Sequence, residues 1–367
     1  MRSRVVLKFF SLKSFSFFIF SVFLLFIFEF RTLYAAADLT EEEKAQRRLQ
    51  FNSYVEEELA RAAQAKAADV EKAGPQFFFN VEPSVTYDSN ANLNSKKQSA
   101  LYNELRSEFG FKATRPERAL LGAGQWGMSA SLDRVDYHHF DTLDTTDGSA
   151  KAFITSRLGY GLTLKVQYEF ESLYYPDNDQ LDFLSHKIRP ELFHEITKNF
   201  GHYVYGSIRF KDYVDRRALT AANSAGDDYR SDVTYEPGYG WKIHLGDETL
   251  LGLSAVWQKN DSNDLFDRYN DTRGYKIGGH LYRQLWDRAS IVGLGGYDYK
   301  DYDARKFRAG SPLIETDHFF YLGSYLYLDL SKRTQFVASY LYKQNHSSDP
   351  SQEYSGYLAA LGLNVTI

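Results

Sequence analysis

Eight basic residues sit at matching positions of short runs that alternate apolar and polar side chains: Lys151, Arg157, Lys165, Lys187, Arg189, Arg209, Lys211 and Arg230. Extended chain turns successive side chains to opposite faces, so residues of one parity in a run share a face. Glu169, Glu171 and Glu191 have the same parity and interleave with the basic set. Glu104 and Glu108 have it in an earlier run; with Glu82, Asp298, Asp317 and Asp329 they lie nearer the two ends of the alternating region. Basic and acidic walls facing each other across a wet space set up a transverse field, which orders water and sorts small polar solutes by charge. The plainer alternative is that these charges pair between neighbouring strands and only keep the interior hydrated.

Tyr203, Tyr205, Tyr282, Tyr321, Tyr325 and Tyr327 share that inner parity. Rings beside charged groups suit saccharides, which pack on aromatic faces; rings also simply fill a narrow interior. Catalytic chemistry finds little support. A hydrolytic site needs His beside Ser with a third polar group, whereas His186, His194 and His280 stand isolated in their runs and the adjacent His138-His139 falls in a loop. No Gly-x-Ser-x-Gly, His-Glu-x-x-His or phosphate-loop pattern occurs, so no enzyme activity and no cofactor are expected. The oxygen-rich stretches 141–147 and 261–267 lack the spacing of a dedicated Ca²⁺ loop and read as solvated acidic loops, not as metal sites.

Fourteen runs carry these residues, near 76–88, 99–113, 120–135, 149–158, 163–174, 183–196, 202–213, 228–242, 249–259, 272–285, 289–301, 316–330, 334–344 and 354–367. Arg115-Pro116-Glu117-Arg118, Gly159-Tyr160-Gly161, Lys198-Asn199-Phe200-Gly201, Gly246-Asp247-Glu248, Trp286-Asp287-Arg288 and Ser331-Lys332-Arg333 read as tight turns. Between them come long polar loops such as 137–148, 214–227, 260–271 and 302–315. Strands of about ten residues with one apolar face, joined alternately by short and long connections, are the pattern of a membrane-spanning barrel. Within lipid the backbone must satisfy its own hydrogen bonds, so only a closed sheet survives. One face of the eighth run holds Tyr229, Val233, Tyr235, Tyr239 and Trp241; the other holds Arg230, Asp232, Thr234, Glu236 and Lys242. The run at 289–301 has no clear parity.

The bulk numbers agree. Tyr and Phe number 28 each, more than a soluble core requires, and barrels place such rings at both lipid–water interfaces. There is no Cys, hence no disulfide framework or thiolate metal site. Arg2, Arg4, Lys8 and Lys13 precede an apolar stretch from Phe15 to Phe28, and Ala35-Ala36-Ala37 offers a cleavage site, so residues 1–37 read as a secretory signal cut after Ala37. Its removal takes the net charge from −5 to −9, with 38 basic against 47 acidic residues, which gives no support for nucleic-acid binding. Residues 38–73 are rich in Ala, Glu, Lys and Arg, open on the capping box Thr40–Glu43 and stop at Gly74-Pro75. They read as a helix that stands in the periplasm, where it docks a partner, or threads the lumen as a plug; the helical region is taken as 38–75.

The Tyr87-Asp88-Ser89-Asn90-Ala91-Asn92-Leu93 turn resembles the first hairpin of the β-barrel porin 2 group and of the barrel in surface lipoprotein assembly modifiers. That resemblance implies a barrel of fourteen strands, or close to it, behind periplasmic helices. The tetratricopeptide repeats of the assembly modifiers have no room in 38–73.

The expectation is therefore an all-β protein: a transmembrane antiparallel barrel of about fourteen strands over 76–367, preceded by one N-terminal α-helix. Its expected place is the bacterial outer membrane, among lipid and lipopolysaccharide, with the alternating strand 354–367 read by the barrel-assembly machinery. The expected role is porin-like passive diffusion of small hydrophilic solutes, saccharides among them. The alternatives are an export or assembly barrel for a surface polysaccharide or lipoprotein, and a structural or adhesive barrel.

Overall fold

The computed structural model describes residues 75–91, 93, 98–115, 123–177, 179–221, 224–264, 270–306 and 313–367. Seven strands come first: β1 (Gln76–Asp88), β2 (Ala100–Arg115), β3 (Gly124–Tyr137), β4 (Thr145–Gly159), β5 (Leu162–Tyr174), β6 (Phe183–Thr197) and β7 (Phe200–Ala221). Seven more follow: β8 (Ser224–His244), β9 (Thr249–Ser262), β10 (Thr272–Trp286), β11 (Ala289–Lys306), β12 (Ile314–Asp329), β13 (Thr334–Ser347) and β14 (Tyr354–Thr366). Each pairs antiparallel with its sequence neighbours, and β1 closes on β14 to complete a barrel. At that seam Ser84 lies opposite Gly362 and Asp88 opposite Leu358.

All fourteen runs expected from the sequence are strands, in the expected order. The secretory signal and the helix over 38–73 fall outside the described residues. No helix among the described residues is long and apolar enough to cross a membrane.

One end of the barrel carries the tight turns that are described; the one expected at 115–118 runs into 116–122, outside the described residues. Between β4 and β5, Gly159, Tyr160 and Gly161 have φ of 88°, 52° and 75°. Glycine enters that region without steric cost, and a Cβ on Gly161 would also run into the Glu195 carbonyl. The other end carries the long connections, several of which are more ordered than the sequence suggests. The stretch 214–227, expected as a loop, is mostly hairpin: β7 and β8 extend past the rim with Arg217 opposite Tyr229 and Leu219 opposite Ala225. The reason lies in a third segment. Asp264, only 1% exposed, accepts the Leu219 N–H at 3.0 Å and Asn270 Nδ2 at 3.0 Å, which pins the hairpin to the β9–β10 connection. Asp264 itself is thus a buried structural anchor and not the solvated acid expected, while 265–267 lie outside the described residues.

The β3–β4 and β5–β6 connections are built alike. The Tyr137 N–H donates to Asp144 Oδ1, and the Tyr175 N–H to Asp182 Oδ1, both at 2.7 Å. Each arc holds one short 3-10 turn, Asp141–Leu143 or Asp179–Leu181, whose leucine is buried. A repeated Asp-x-Leu-Asp is its sequence signature. Both capping carboxyls are pushed up in pKa, first by burial, with acids nearby (Asp136 and Asp141; Asp179 and Asp215) adding to it and the backbone hydrogen bond opposing it. The folded arcs therefore hold these protons more tightly than the unfolded chain does. Their stability is gained as pH falls from the raised pKa values to the ordinary carboxyl value of roughly 3.9, and lost as pH rises back. Amide-exchange protection at Tyr137 and Tyr175, corrected for intrinsic rate, is expected to rise on acidification through that window. Asp144→Asn and Asp182→Asn should flatten the response; protection that falls on acidification would contradict the assignment.

The outer face is apolar. Leu105, Phe109, Leu132, Ile277 and Leu361 are among its exposed residues. Rings gather near both rims. Phe111 meets Phe77 and Trp126 at 6.0 and 5.0 Å near the turns; Tyr357 meets Tyr87 and Tyr340 at 5.9 and 5.6 Å near the loops. Inside, apolar clusters gather toward the loop end. The unclear parity of 289–301 has its cause here: Val292 and Leu294 point inward and are buried, Leu294 against Phe319, Tyr321 and Leu341, while Ile291 points outward, so both faces of β11 are partly apolar.

Candidate functional site: the charged interior

Strand register fixes which side chains share the inner face. Lys151 lies opposite Glu169, Glu169 opposite Lys187, and Lys187 opposite Arg209. Toward the turns, Gln167 lies opposite Arg189 one rung on, Lys165 opposite Glu191 two rungs on, and Arg157 opposite Thr163 three rungs on. One rung toward the loops, Glu171, Ser185, Lys211 and Asp232 follow one another across β5 to β8, and Arg230 is two residues from Asp232. Glu104 and Glu108 face Ser84 and Asn80 of β1.

These charges alternate in sign along the wall. Lys151 Nζ is 3.2 Å from Glu169. Lys187 and Lys276 both reach Glu236, at 3.7 and 2.8 Å, and Ser207 Oγ donates to it at 2.8 Å. Lys276 in turn lies opposite Asp298. On adjacent rungs Arg189 meets Glu191 at 3.4 Å and Arg209 approaches Glu171 at 4.0 Å. Arg230 holds Asp232 in a fork, Nε to Oδ1 at 3.0 Å and Nη2 to Oδ2 at 2.7 Å.

The expected division into a basic and an acidic wall is therefore only partial. The basic strands carry their own acids, because neighbouring strands bring residues of one parity into register and opposite charges attract there. Three of the acids nearer the seam accept from uncharged donors, with Arg106 opposite Glu82 and Lys300 opposite Asp317 in register. Asn364 Nδ2 donates to Glu82 at 2.8 Å, Gln335 Nε2 to Asp329 at 2.6 Å and the Tyr302 hydroxyl to Asp317 at 3.2 Å.

Among the inward tyrosines, Tyr203 stacks on Tyr205 with centroids 5.9 Å apart, and Tyr325 on Tyr327 at 6.4 Å. Tyr205 and Tyr321 are buried, with ring atoms in the space that a Cβ would take at Gly238 and Gly296 of the neighbouring strands, and the Arg189 guanidinium 4.1 Å from the Tyr205 centroid. The histidines are less isolated than the sequence suggests. His186 and His194 lie on the outer face, bonded to Tyr168 at 2.7 Å and to His202 at 3.1 Å. His280 faces inward against Gly252. Asn103 Nδ2 lies 3.0 Å from His138 Nε2. Among the described residues no group of three His, Cys, Asp or Glu is placed to hold a metal ion.

The Tyr-Asp-x-Asn segment has a definite place. Asp88 Oδ1 accepts the Asn90 N–H at 2.9 Å, and Asp88 Oδ2 lies 2.9 Å from Lys343 Nζ. Asn90 Nδ2 donates to the Ser355 carbonyl at 3.1 Å. Leu93, 1% exposed, then sits in the inner-face cluster of Leu294, Phe319, Tyr321, Leu341 and Tyr354. Leu93 thus lies on the inner side of the barrel mouth.

Sequence reasoning about chemistry passed over Glu236, Lys276, Ser207 and the Asp88–Lys343 pair. Parity already put Glu236 on the face of Arg230, and would have placed Lys276 inside as well. Nothing local marks them as partners, since they are forty residues apart with β9 between them.

Fold and lining together define a closed fourteen-stranded β-barrel with an apolar exterior and a charged interior. No protein-family model matches the chain. No curated protein matches it either. Among solved structures, the outer-membrane expressed OmpT of Vibrio cholerae aligns at 10% identity and a TM-score of 0.42, over 81% of this chain and 99% of that one. The TodX monoaromatic hydrocarbon channel (a deltaS2 mutant) aligns at 8% and 0.46, over 81% and 91%. The anion-selective porin from Comamonas acidovorans aligns at 10% and 0.44, over 81% and 100%.

Proposed function

We propose that this protein is a porin-like channel of a bacterial outer membrane, passing small hydrophilic solutes by passive diffusion. The observation that carries the reading is the row of alternating charges from Lys151 to Asp298 on the inner face of a barrel whose outer face is apolar. Charges facing inward need water beside them, and an apolar exterior with rings near both rims suits a bilayer. Lipid and lipopolysaccharide surround the belt in this reading. The assembly machinery takes up strand 354–367, and residues 1–37 are removed on export. Saccharides are the finer version of the reading. The stacked Tyr203/Tyr205 and Tyr325/Tyr327 pairs support it, and sugar-dependent current block would test it. The likeness of Tyr87–Leu93 to the β-barrel porin 2 group belongs to the same proposal.

Single-channel recording of the refolded chain, with and without residues 38–73, tests it. Steady conductance from both forms is expected. Conductance only after the deletion would make 38–73 a plug. Silence from both would refute passive diffusion and favour an export role in which 38–73 docks a periplasmic partner, or an adhesive role.

A further inference from the structure

Lys211 differs from most other cations of its wall. Lys151, Lys187, Arg189, Arg209 and Arg230 each have a carboxylate at 4.0 Å or less. Lys211 has none among the described residues, although Ser185 and Asp232 flank it in register. Both flanking groups are already engaged: Ser185 Oγ donates to Glu171 at 2.9 Å, and both oxygens of Asp232 are held by Arg230. The Lys211 ammonium rests instead on two buried rings, 3.7 Å from the Phe183 centroid and 4.8 Å from that of Tyr213. Rings attract a cation but accept none of its three N–H donors in the way an anion does.

The surroundings add charge of the same sign. The guanidinium groups of Arg230 and Arg216 lie 4.6 and 5.5 Å from the same Tyr213 ring, and Arg209 lies two residues along β7. Arg209, Lys211 and Arg230 share the acids Glu171 and Asp232, and of the three cations Lys211 is the one with neither carboxylate within 4.0 Å. It is also held in place. Phe183 and Tyr213 pack with Leu173, Tyr175 and Leu181, so the rings that seat Lys211 are fixed by the β5–β6 arc. Fixed cations on a low-dielectric wall attract anions far more strongly than the same groups in water.

We infer that Lys211, with Arg209 and Arg230 beside it, forms an anion-binding site inside the loop end of the barrel, for a small solute bearing a carboxylate or phosphate group. As a solute station it rests on the channel reading above; as a binding site it is tested separately.

Inorganic phosphate is the probe, titrated calorimetrically into the folded chain in detergent. The wild type should bind, and Lys211→Met, which keeps the stem on the rings, should bind about tenfold more weakly, as expected for losing one charge-assisted contact. Lys332→Met, in a tight turn at the opposite end, serves as the control and should bind as the wild type does. Equal binding by wild type and Lys211→Met, or no binding by wild type, overturns the site. In bilayers under a KCl gradient, Lys211→Glu should move the reversal potential toward cation preference, with Lys211→Met between it and wild type. A reversal potential that ignores both substitutions in a conducting channel also overturns it. A silent barrel that still binds phosphate through Lys211 would sink the channel reading and leave the site standing. Retention of β-structure and of heat-modifiable mobility in both variants guards against a folding artefact.

Discussion

Lys343→Ala is expected to cost the barrel about 3–5 kcal/mol, the scale for stranding one partner of a buried ion pair. Lys343 and Asp88 lie 2.9 Å apart with side-chain exposures of 3% and 2%, so neither reaches bulk water when the other is removed. Asp88 also caps the Asn90 N–H, and Asn90 ties β1 to the Ser355 carbonyl on β14. Losing the cation therefore leaves a buried carboxylate at the point where the sheet closes. Asp88→Asn should fall in the same range for the mirror reason: the cap acceptor remains but Lys343 is left without its counter-ion. The double variant Asp88→Asn/Lys343→Met should recover most of the loss, since no charge is then buried. Urea unfolding of the chain in lipid vesicles measures all three. Additive losses in the double variant, or a single-variant loss below about 1 kcal/mol, the range of exposed pairs, would show that the pair is solvated.

How much of this was legible beforehand depends on the range over which each feature is written. Strand positions and facing are local, because parity within ten residues decides them; β1 spans Gln76–Asp88, as its alternation predicts. Inward placement of Lys151, Glu169 or Arg230 follows from the same parity. What parity does not carry is distance along the chain. Asp88 meets Lys343, 255 residues later, only because β1 closes on β14, and Leu219 meets Asp264 only because a hairpin continues beyond the rim. The stretch 214–227 is polar and rich in small residues, which is loop composition; a single buried carboxylate overrides it. Where both faces of a strand are partly apolar, as at Val292 and Leu294, even parity fails, because the inner clusters erase the contrast on which it depends.

Glu236 offers the sharpest test of whether the interior charges act on solutes or only on each other. Its two oxygens serve three donors, Lys276 at 2.8 Å, Ser207 at 2.8 Å and Lys187 at 3.7 Å, across β6 to β10. Glu236→Gln keeps the shape and a hydrogen-bond acceptor while removing the charge that balances two lysines. Lys187 still has Glu169 opposite and Lys276 still has Asp298 opposite, so the wall should survive with one more net positive charge. If the lumen conducts, that charge should raise the anion-to-cation permeability ratio about two- to fivefold, equivalent to roughly 0.5–1 kcal/mol at a partly screened site. Raising KCl toward 1 M should shrink the change, because the screening length falls to about 3 Å. Glu236→Lys should do more than double the effect on charge: three ammonium groups would meet where one carboxylate stood, and the barrel should lose stability as well as selectivity. A reversal potential unchanged in Glu236→Gln at low salt, with conductance intact, would mean that ions pass elsewhere and that this row of charges only holds β6 to β11 together.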